Sequence, residues 1–373
     1  MEYRDFGKTG VKVSKLGFGA MRLPGANKNG KWLIDEDKSI ELLTEGLKAG
    51  INYIDTAFPY CHEQSEIVVG KSVSRWESEV YVSSKSPIWL LEKPGDYRKY
   101  LEISLKRLDR AYIDFYHFHH LTGHLYEEKI KKYNVIEEAQ KAKEEGLIKH
   151  ISFSIHDTPE VLKKSIDTGV FESVLCQYNF LDVTNKEAIR YAKSKGLGVA
   201  VMGPVAGGRV AEFDSKVFME AKDNDLVDLA LRFVFSNKDI STALSGMENL
   251  EMLRYNVKAA EGPEELFDKE KDFIKMVLNS RKIKDTIPCN ECDYCEDCPR
   301  DIHISRIFKI YNYYLLTDLE NNSKWQYDMI GKYDDSSKAS ECSECGQCEE
   351  ACPQKIKIID RLKEIHKAFS KQN

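Results

Sequence analysis

The chain has 373 residues, of which 42% are hydrophobic and 31% are charged, as is typical of a folded globular protein. Its formal net charge of −6 gives no electrostatic support for binding nucleic acid. The start lacks the apolar core of a secretory signal and no stretch approaches about 18 uninterrupted apolar residues, so we expect a cytoplasmic protein without a membrane span.

The first predicted element is a hairpin in "YRDFGKTGVKVS", with its turn at Thr9 and Gly10. Eight apolar runs rich in Val, Ile and aromatic residues then read as buried strands: 15–21, 51–57, 79–85, 113–119, 150–155, 173–180, 197–203 and 241–247. Amphipathic segments such as 38–50, 97–108 and 158–169 separate them. Eight strand–helix units in succession predict an α/β fold, a (β/α)8 TIM barrel.

The sequence changes character after about residue 280. A charged linker, "SRKIKDTIPCN", leads into two cysteine-rich runs that flank a helical segment, "RDIHISRIFKIYNYYLL". The last helix predicted places Ile358, Leu362, Ile365 and Phe369 on one face. We therefore expect two domains, a barrel over 1–280 and an all-helical domain over 281–373.

Four ionisable residues lie where consecutive barrel strands end. They are Asp55, Tyr60, Lys85 and His119. In a TIM barrel the chemistry collects at this end. A lysine cation stabilises a tyrosine phenolate, a carboxylate orients the lysine, and a histidine can hydrogen-bond a carbonyl oxygen. Such a set can protonate a carbonyl oxygen while hydride reaches its carbon.

These motifs resemble the aldo/keto reductase family. The resemblance covers about residues 1–280 and includes "GKTGVKVSKLGFGAMRLP", "INYIDTAFPY", "VYVSSK", "SLKRLDRAYIDFYHFH" and "ALSGMENLEMLRYN". It implies an oxidoreductase acting on a small carbonyl or alcohol substrate. It also implies that Asp55 orients Lys85, that Lys85 tunes the general acid Tyr60, and that His119 orients the substrate.

The same resemblance implies a nicotinamide dinucleotide, NAD(P)(H), with three departures from the family pattern. Ile155 replaces the asparagine that follows Ser154, and Met202 replaces an aromatic that stacks on the nicotinamide. Met252 replaces the arginine that binds the 2′-phosphate, so a preference for NADP is not supported. Loss of the stacking aromatic leaves room for a flavin. The predicted cofactor-binding residues are Ser154, Gln177, Met202, Gly203, Gly246, Met247 and Asn256.

Three other polar or reactive side chains near the strands have simpler interpretations. His117 lies two residues before His119 and is predicted to be a buried, hydrogen-bonded core residue. Cys61 directly follows Tyr60 and is predicted to be a packing residue. Cys176 lies inside the sixth strand and is predicted to be part of the core.

Eight of the ten cysteines lie in two runs, C-x₂-C-x₂-C-x₂-C-P and C-x₂-C-x₂-C-x₃-C-P. Their spacing in an apparently cytosolic chain favours metal binding over disulfides. Three thiolates from a loop and one distant thiolate complete a [4Fe–4S] cluster, so we predict two such clusters. Zinc is the alternative, but it usually takes two separate C-x₂-C pairs.

In two-cluster ferredoxins, which this tail resembles, the fourth cysteine of each run ligates the other cluster. One predicted ligand set is therefore Cys289, Cys292, Cys295 and Cys352, and the other is Cys342, Cys345, Cys348 and Cys298. The first run has one residue fewer before its last cysteine, so the exchange stays open for Cys298.

The sequence leaves three functional hypotheses. In the leading one, an aldo/keto reductase-type oxidoreductase carries an iron–sulfur domain, whose clusters either transfer electrons or only stabilise the tail. In the second, a flavin or another redox cofactor connects the barrel to the clusters, which pass single electrons to a partner protein. In the third, the chain is a non-catalytic electron-transfer or sensor module.

Overall fold

The computed structural model describes residues 1–28, 31–208, 210, 225–279, 285–316, 320–332 and 336–370. The chain divides into two compact units. The barrel unit comprises Met1–Pro204 and Ala230–Leu266, and the cysteine unit comprises Val205–Leu229 and Phe267–Asn373.

The barrel unit contains a closed barrel of eight parallel strands, which confirms the predicted fold. In chain order the strands are β1 (Leu16–Gly19), β2 (Tyr53–Asp55), β3 (Tyr81–Ser86), β4 (Ile113–Leu121), β5 (Ile148–Ile155), β6 (Ser173–Gln177), β7 (Gly198–Met202) and β8 (Thr242–Gly246). Each pairs with the next and β8 pairs with β1, so all eight carboxyl ends meet at one mouth. Nearly every strand residue is buried because helices cover the outer face of the strands.

The main helices that follow the strands are Glu36–Lys48, Ser65–Val73, Asp96–Leu108, Val135–Glu144, Pro159–Asp167, Lys186–Lys195, Leu226–Ser236 and Leu250–Glu261. Several begin where the sequence supplies a side-chain oxygen for an unpaired backbone N–H. Asp35 accepts from the Lys38 N–H, and Thr158 accepts from the Val161 N–H with Pro159 in the first turn.

The predicted N-terminal hairpin is present, with Tyr3–Asp5 antiparallel to Lys12–Ser14. Its turn places Phe6 among the rings of Tyr53 and Phe115, at 5.4 and 4.8 Å between ring centres. A side chain on Gly198 would lie 2.7 Å from the Phe6 ring, so only glycine fits there. Phe6 thus fills the barrel end where strands begin, which leaves the opposite mouth for chemistry.

A second hairpin, Gly25–Lys28 paired with Lys31–Ile34, was not predicted. The Asn-Gly dipeptide at 29–30 is a typical hairpin signal that could have indicated it. The hairpin lies between β1 and the helix Glu36–Lys48. A βα-loop at this position tolerates an insertion without disturbing the barrel strands.

The described part of the cysteine unit is helical, as predicted. Its main helices are Asp268–Asn279, Ile304–Leu316, Glu320–Met329, Gln347–Ala351 and Ile358–Ser370. The last one buries Ile358, Leu362, Ile365 and Phe369, the four residues predicted to share a face. Residues 280–284 of the predicted linker lie outside the described residues. In the described part of the chain, no helix is long and apolar enough to cross a membrane.

Candidate active site and cysteine sites

The barrel brings the predicted catalytic residues together at the carboxyl ends of neighbouring strands. Asp55 ends β2, Lys85 lies near the end of β3, and His119 lies near the end of β4. Tyr60 begins a short helical turn, Tyr60–Glu63, that follows β2. Three of these side chains lie deep in the mouth, whereas Tyr60 is half-buried.

Lys85 is the centre of this group. Its Nζ donates hydrogen bonds to Asp55 Oδ2 at 2.6 Å and to the Thr56 carbonyl at 2.8 Å. It also donates to the Tyr60 phenol oxygen at 3.0 Å. Ser83 holds the other carboxylate oxygen of Asp55 at 2.5 Å. A buried cation therefore contacts the phenol directly, with its carboxylate partner fixed on both oxygens.

Burial lowers the pKa values of two residues of this site, Lys85 and His119. Burial lowers the pKa of Lys85, an effect that the neighbouring carboxylate of Asp55 opposes. Burial, together with the Lys85 cation and nearby imidazoles, holds the pKa of His119 well below its ordinary value. His119 is therefore neutral at physiological pH and can donate a hydrogen bond without adding a positive charge.

Tyr60 is followed by an unusual backbone segment. Cys61, His62 and Glu63 have φ angles of 51°, 51° and 67°, the left-handed region that L side chains rarely adopt. Gln64 stabilises the segment, because its side chain donates to the Cys61 carbonyl at 2.8 Å and accepts from the Ile34 N–H. This segment could not be predicted from the sequence, because it contains neither glycine nor asparagine.

Aromatic and imidazole rings line the mouth beside His119. Its ring centre lies 5.8 Å from Tyr60 and 5.1 Å from Trp89. His120 lies 5.3 Å from His156, which follows β5. Sequence reasoning missed Trp89 and His156, because single loop residues carry no spacing signal.

Two predicted nucleotide contacts fit a carboxamide group. The Gln177 side chain is buried at the end of β6, and its Oε1 has no hydrogen-bond partner among the described residues. A Cβ on Gly203 would lie 2.6 Å from Gln177 Nε2, so glycine at this position lets the amide approach the backbone closely. The Ser154 hydroxyl accepts from the His120 N–H at 3.0 Å and keeps its own proton to donate.

The other predicted nucleotide contacts are less distinctive. Asn256 is buried and donates to Ser245 Oγ at 3.0 Å. Met247 is fully buried, Gly246 is exposed, and Met202 is half-buried at the end of β7, next to Gln177. Met252 is 39% exposed, so nothing at that position supplies a cation for a 2′-phosphate.

The eight cysteines of the two runs surround two separate cavities. One is lined by Cys289, Cys292, Cys295 and Cys352 together with apolar side chains. The other is lined by Cys298, Cys342, Cys345 and Cys348, also with apolar side chains. Each set contains three cysteines of one run and the last cysteine of the other.

Burial, together with repulsion between neighbouring negative charges, raises the pKa of several thiols in these sites. Burial raises the pKa of Cys289 to about 11 and that of Cys292 to about 12, with Cys352 among the groups that add to both shifts. Burial raises the pKa of Cys348 to about 11, with Cys298 contributing. A cationic metal group would bind these cysteines as thiolates, and their protons would be released to solvent. In the described ranges, no three His, Cys, Asp or Glu side chains converge closely enough to hold one metal ion.

The remaining predictions concern Cys176, Cys61 and His117. Cys176 is fully buried, as predicted, and burial raises its pKa to about 12. The thiol of Cys61 donates to the Met21 carbonyl at 3.2 Å, which fits a packing role. His117 is fully buried, as predicted. Burial lowers the pKa of His117 to about 3, and a hydrogen bond from its ring to the Phe153 backbone opposes that shift.

Comparison with known families divides the chain in two. Residues 15–275 match the model of the aldo/keto reductase family, which covers more than half of the chain. Residues 288–357 match the model of the 4Fe-4S dicluster domain.

Individual relatives match the larger part. The uncharacterised oxidoreductase YqkF of Bacillus subtilis is 25% identical over 70% of this chain and 91% of its own. L-galactose dehydrogenase of Arabidopsis thaliana is 29% identical over 69% of this chain and 88% of its own. The solved structure of the holo form of aldo-keto reductase AKR11C1 from Bacillus halodurans is 27% identical, has a TM-score of 0.62, and covers 74% of this chain and 96% of that one.

Proposed function

Because this chain belongs to the aldo/keto reductase family and carries a 4Fe-4S dicluster domain, we propose that it reduces a carbonyl group, or oxidises the matching alcohol, with a nicotinamide dinucleotide. The observation that carries the proposal is the contact of the buried Lys85 ammonium with the Tyr60 phenol at 3.0 Å. The similarity to L-galactose dehydrogenase supports a small hydroxyl or carbonyl compound as the substrate.

In this proposal Tyr60 is the general acid. The Lys85 cation stabilises the phenolate that remains after Tyr60 gives its proton to the substrate oxygen. Asp55 fixes the position of Lys85, and neutral His119 donates a hydrogen bond to the same substrate oxygen. In the direction of alcohol oxidation, Tyr60 takes the proton back.

The residues around Gln177 fit the carboxamide of a nicotinamide. The unpartnered Gln177 Oε1 can accept from the amide nitrogen, and the Ser154 hydroxyl can donate to the amide oxygen. The bound nucleotide would supply or accept the hydride at the substrate carbon. Met202 would contact the ring by packing alone, and the exposed Met252 supports no preference between NADH and NADPH.

We further propose that 281–373 holds two [4Fe–4S] clusters in crossed ligand sets, with the domain boundary near residue 280. The two cysteine-lined cavities support this assignment. A cytoplasmic setting fits the proposal, because cubane clusters need a reducing environment. An electron-transfer protein is the partner that such clusters suit if they carry electrons.

We expect the cluster-loaded protein, kept anaerobic, to oxidise reduced nicotinamide dinucleotide in the presence of a carbonyl substrate. The assay uses NADH and NADPH separately with a panel of small aldehydes, ketones and aldose sugars, and follows the nucleotide absorbance. Turnover that depends on both the nucleotide and the carbonyl compound supports the proposal. Turnover that requires a flavin or an artificial electron acceptor instead would favour the flavin-linked alternative.

We also predict that Gly207→Ala disrupts the site lined by Cys289, Cys292, Cys295 and Cys352. Gly207 has a φ of +71°, and a Cβ there would lie 2.6 Å from the Cα of Asn290, the residue that follows Cys289. The loop at Asn290 would have to move, which displaces Cys289. We expect iron to fall from about eight to about four atoms per chain after anaerobic reconstitution.

Gly208→Ala is the matched control for this substitution. Gly208 also has a positive φ, +98°, but a Cβ there would meet no atom of the described residues within 4 Å. Both variants therefore carry similar backbone strain, and only one carries the steric clash. Equal iron content in the two variants would contradict the prediction.

A further inference from the structure

Arg107 contacts the segment that carries Tyr60 on both sides of the tyrosine. It lies on the helix Asp96–Leu108, and its side chain is 17% exposed. Nη1 donates to the Phe58 carbonyl at 3.3 Å, and the guanidinium lies 4.2 Å from the centre of the Phe58 ring. Nη2 pairs with the carboxylate of Glu63. One side chain thus binds the residue two before Tyr60 and the residue three after it.

This segment requires external contacts to keep its shape. Its three consecutive left-handed residues, Cys61 to Glu63, are disfavoured for L side chains, and such backbone persists only where the surroundings fix it. Arg107 binds Glu63 at the end of the left-handed stretch and Phe58 before its beginning. Arg107 therefore holds Phe58 and Glu63, the two ends of the segment that carries Tyr60, at a fixed separation.

The Phe58 peptide also joins Arg107 to the strand that carries Lys85. The Phe58 N–H points to the Lys85 carbonyl at 3.5 Å, while the Phe58 carbonyl accepts from Arg107. The Lys85 ammonium in turn contacts the Tyr60 phenol. The position of the phenol relative to its cation thus depends on a peptide that Arg107 holds in place.

We propose that Arg107 is a positioning residue that sets the distance between the Tyr60 phenol and the Lys85 ammonium. This inference rests on the proposed role of Tyr60 as general acid. Arg107 does not touch the reacting atoms and acts only through the segment from Phe58 to Glu63.

Position 107 requires an arginine, and another cationic side chain would not serve. The guanidinium serves three acceptors at once, since Nη1 also lies 3.4 Å from the buried carboxylate of Glu66. Ser84, the residue before Lys85, donates to the other oxygen of Glu66 at 2.5 Å. A lysine ammonium is a point charge and cannot reproduce this planar set of donors. Arg107→Lys should therefore behave as a loss of function.

The test compares Arg107→Lys and Arg107→Met with Arg98→Met in the full, cluster-loaded protein. Arg98 lies on the same helix and also pairs with two carboxylates, those of Glu102 and Glu145, but it has no contact with the Tyr60 segment. We expect both Arg107 variants to lose about 10- to 100-fold in kcat, with little change in the KM for the nucleotide. Arg98→Met should keep the wild-type kcat.

A second readout measures Tyr60 without using activity. The phenolate absorbance of each variant is titrated with pH and compared with the same variant carrying Tyr60→Phe, so the difference reports Tyr60 alone. We expect the Tyr60 transition to move to higher pH in both Arg107 variants, because the phenol then lies further from the Lys85 cation. If no carbonyl substrate is ever found, this titration still tests the inference.

A third variant separates positioning from stability. Arg107→Met leaves the buried Glu66 carboxylate without a cation, which can destabilise the fold. Adding Glu66→Gln removes that charge and should restore the thermal midpoint while leaving kcat low. Recovery of kcat together with stability would overturn the inference. An unchanged Tyr60 titration in the Arg107 variants would do the same.

Discussion

Tyr60→Phe is expected to lower the rate of carbonyl reduction by about 10²- to 10⁴-fold, the usual contribution of a general acid. The substitution removes only the phenol oxygen that Lys85 contacts at 3.0 Å. Its ring should keep its packing beside His119, 5.8 Å away between ring centres. Steady-state kinetics with the reduced nucleotide would measure the loss.

Tyr81→Phe is the control for this substitution. Tyr81 begins β3, at the opposite end of the strand from Ser86 and the mouth, so its hydroxyl is remote from the proposed chemistry. Both variants should bind the nucleotide and retain full iron content. A Tyr60→Phe enzyme with wild-type turnover would support the third hypothesis, a non-catalytic module.

The second large effect concerns the crossed cysteine sets. In the proposed arrangement Cys289 and Cys352 belong to one cluster, so replacing both by serine should abolish that cluster alone. About four iron atoms per chain should remain. Replacing Cys289 and Cys298 should instead damage both sites and leave almost no iron.

Ligation within each run predicts the reverse outcome for the same two double variants. Cys289 and Cys298 would then share a cluster, and Cys352 would belong to the other. Iron analysis and electron paramagnetic resonance of the reduced proteins distinguish the two arrangements. Retention of about four iron atoms by the Cys289–Cys298 pair, with loss of both clusters in the Cys289–Cys352 pair, would refute crossed ligation.

Much of the barrel could be predicted because its signals are local. Each strand is a short apolar run bounded by polar residues, and the helices between them carry a clear apolar face. The ends of such strands meet at one mouth by the geometry of the fold. The proximity of Asp55, Lys85 and His119 follows from that geometry, with no need for distant contacts to be known.

Features that depend on contacts between distant segments could not be predicted. The left-handed stretch from Cys61 to Glu63 is held by contacts with Gln64 and Arg107. Neither contact corresponds to a recognisable pattern in the local sequence. The same holds for Trp89 and His156, which reach the mouth from separate loops.

The cysteine unit shows the same division between local and distant information. Its last helix could be predicted from the spacing of Leu362, Ile365 and their neighbours. The helix Glu320–Met329 could not, because its segment is polar and its apolar face is weak. The sharing of cysteines between the two cavities was suggested only by resemblance to two-cluster ferredoxins.

The central claim is that hydride passes directly between a nicotinamide and the substrate carbon at Tyr60. The most direct test uses reduced nicotinamide dinucleotide deuterated at the transferable position, with the cluster-loaded protein and a carbonyl substrate from the panel. Direct transfer predicts one deuterium on the carbinol carbon of the alcohol product, detected by mass spectrometry. A product formed at the same rate without deuterium would contradict the claim, because a label passed through a flavin or through single-electron carriers is lost to water.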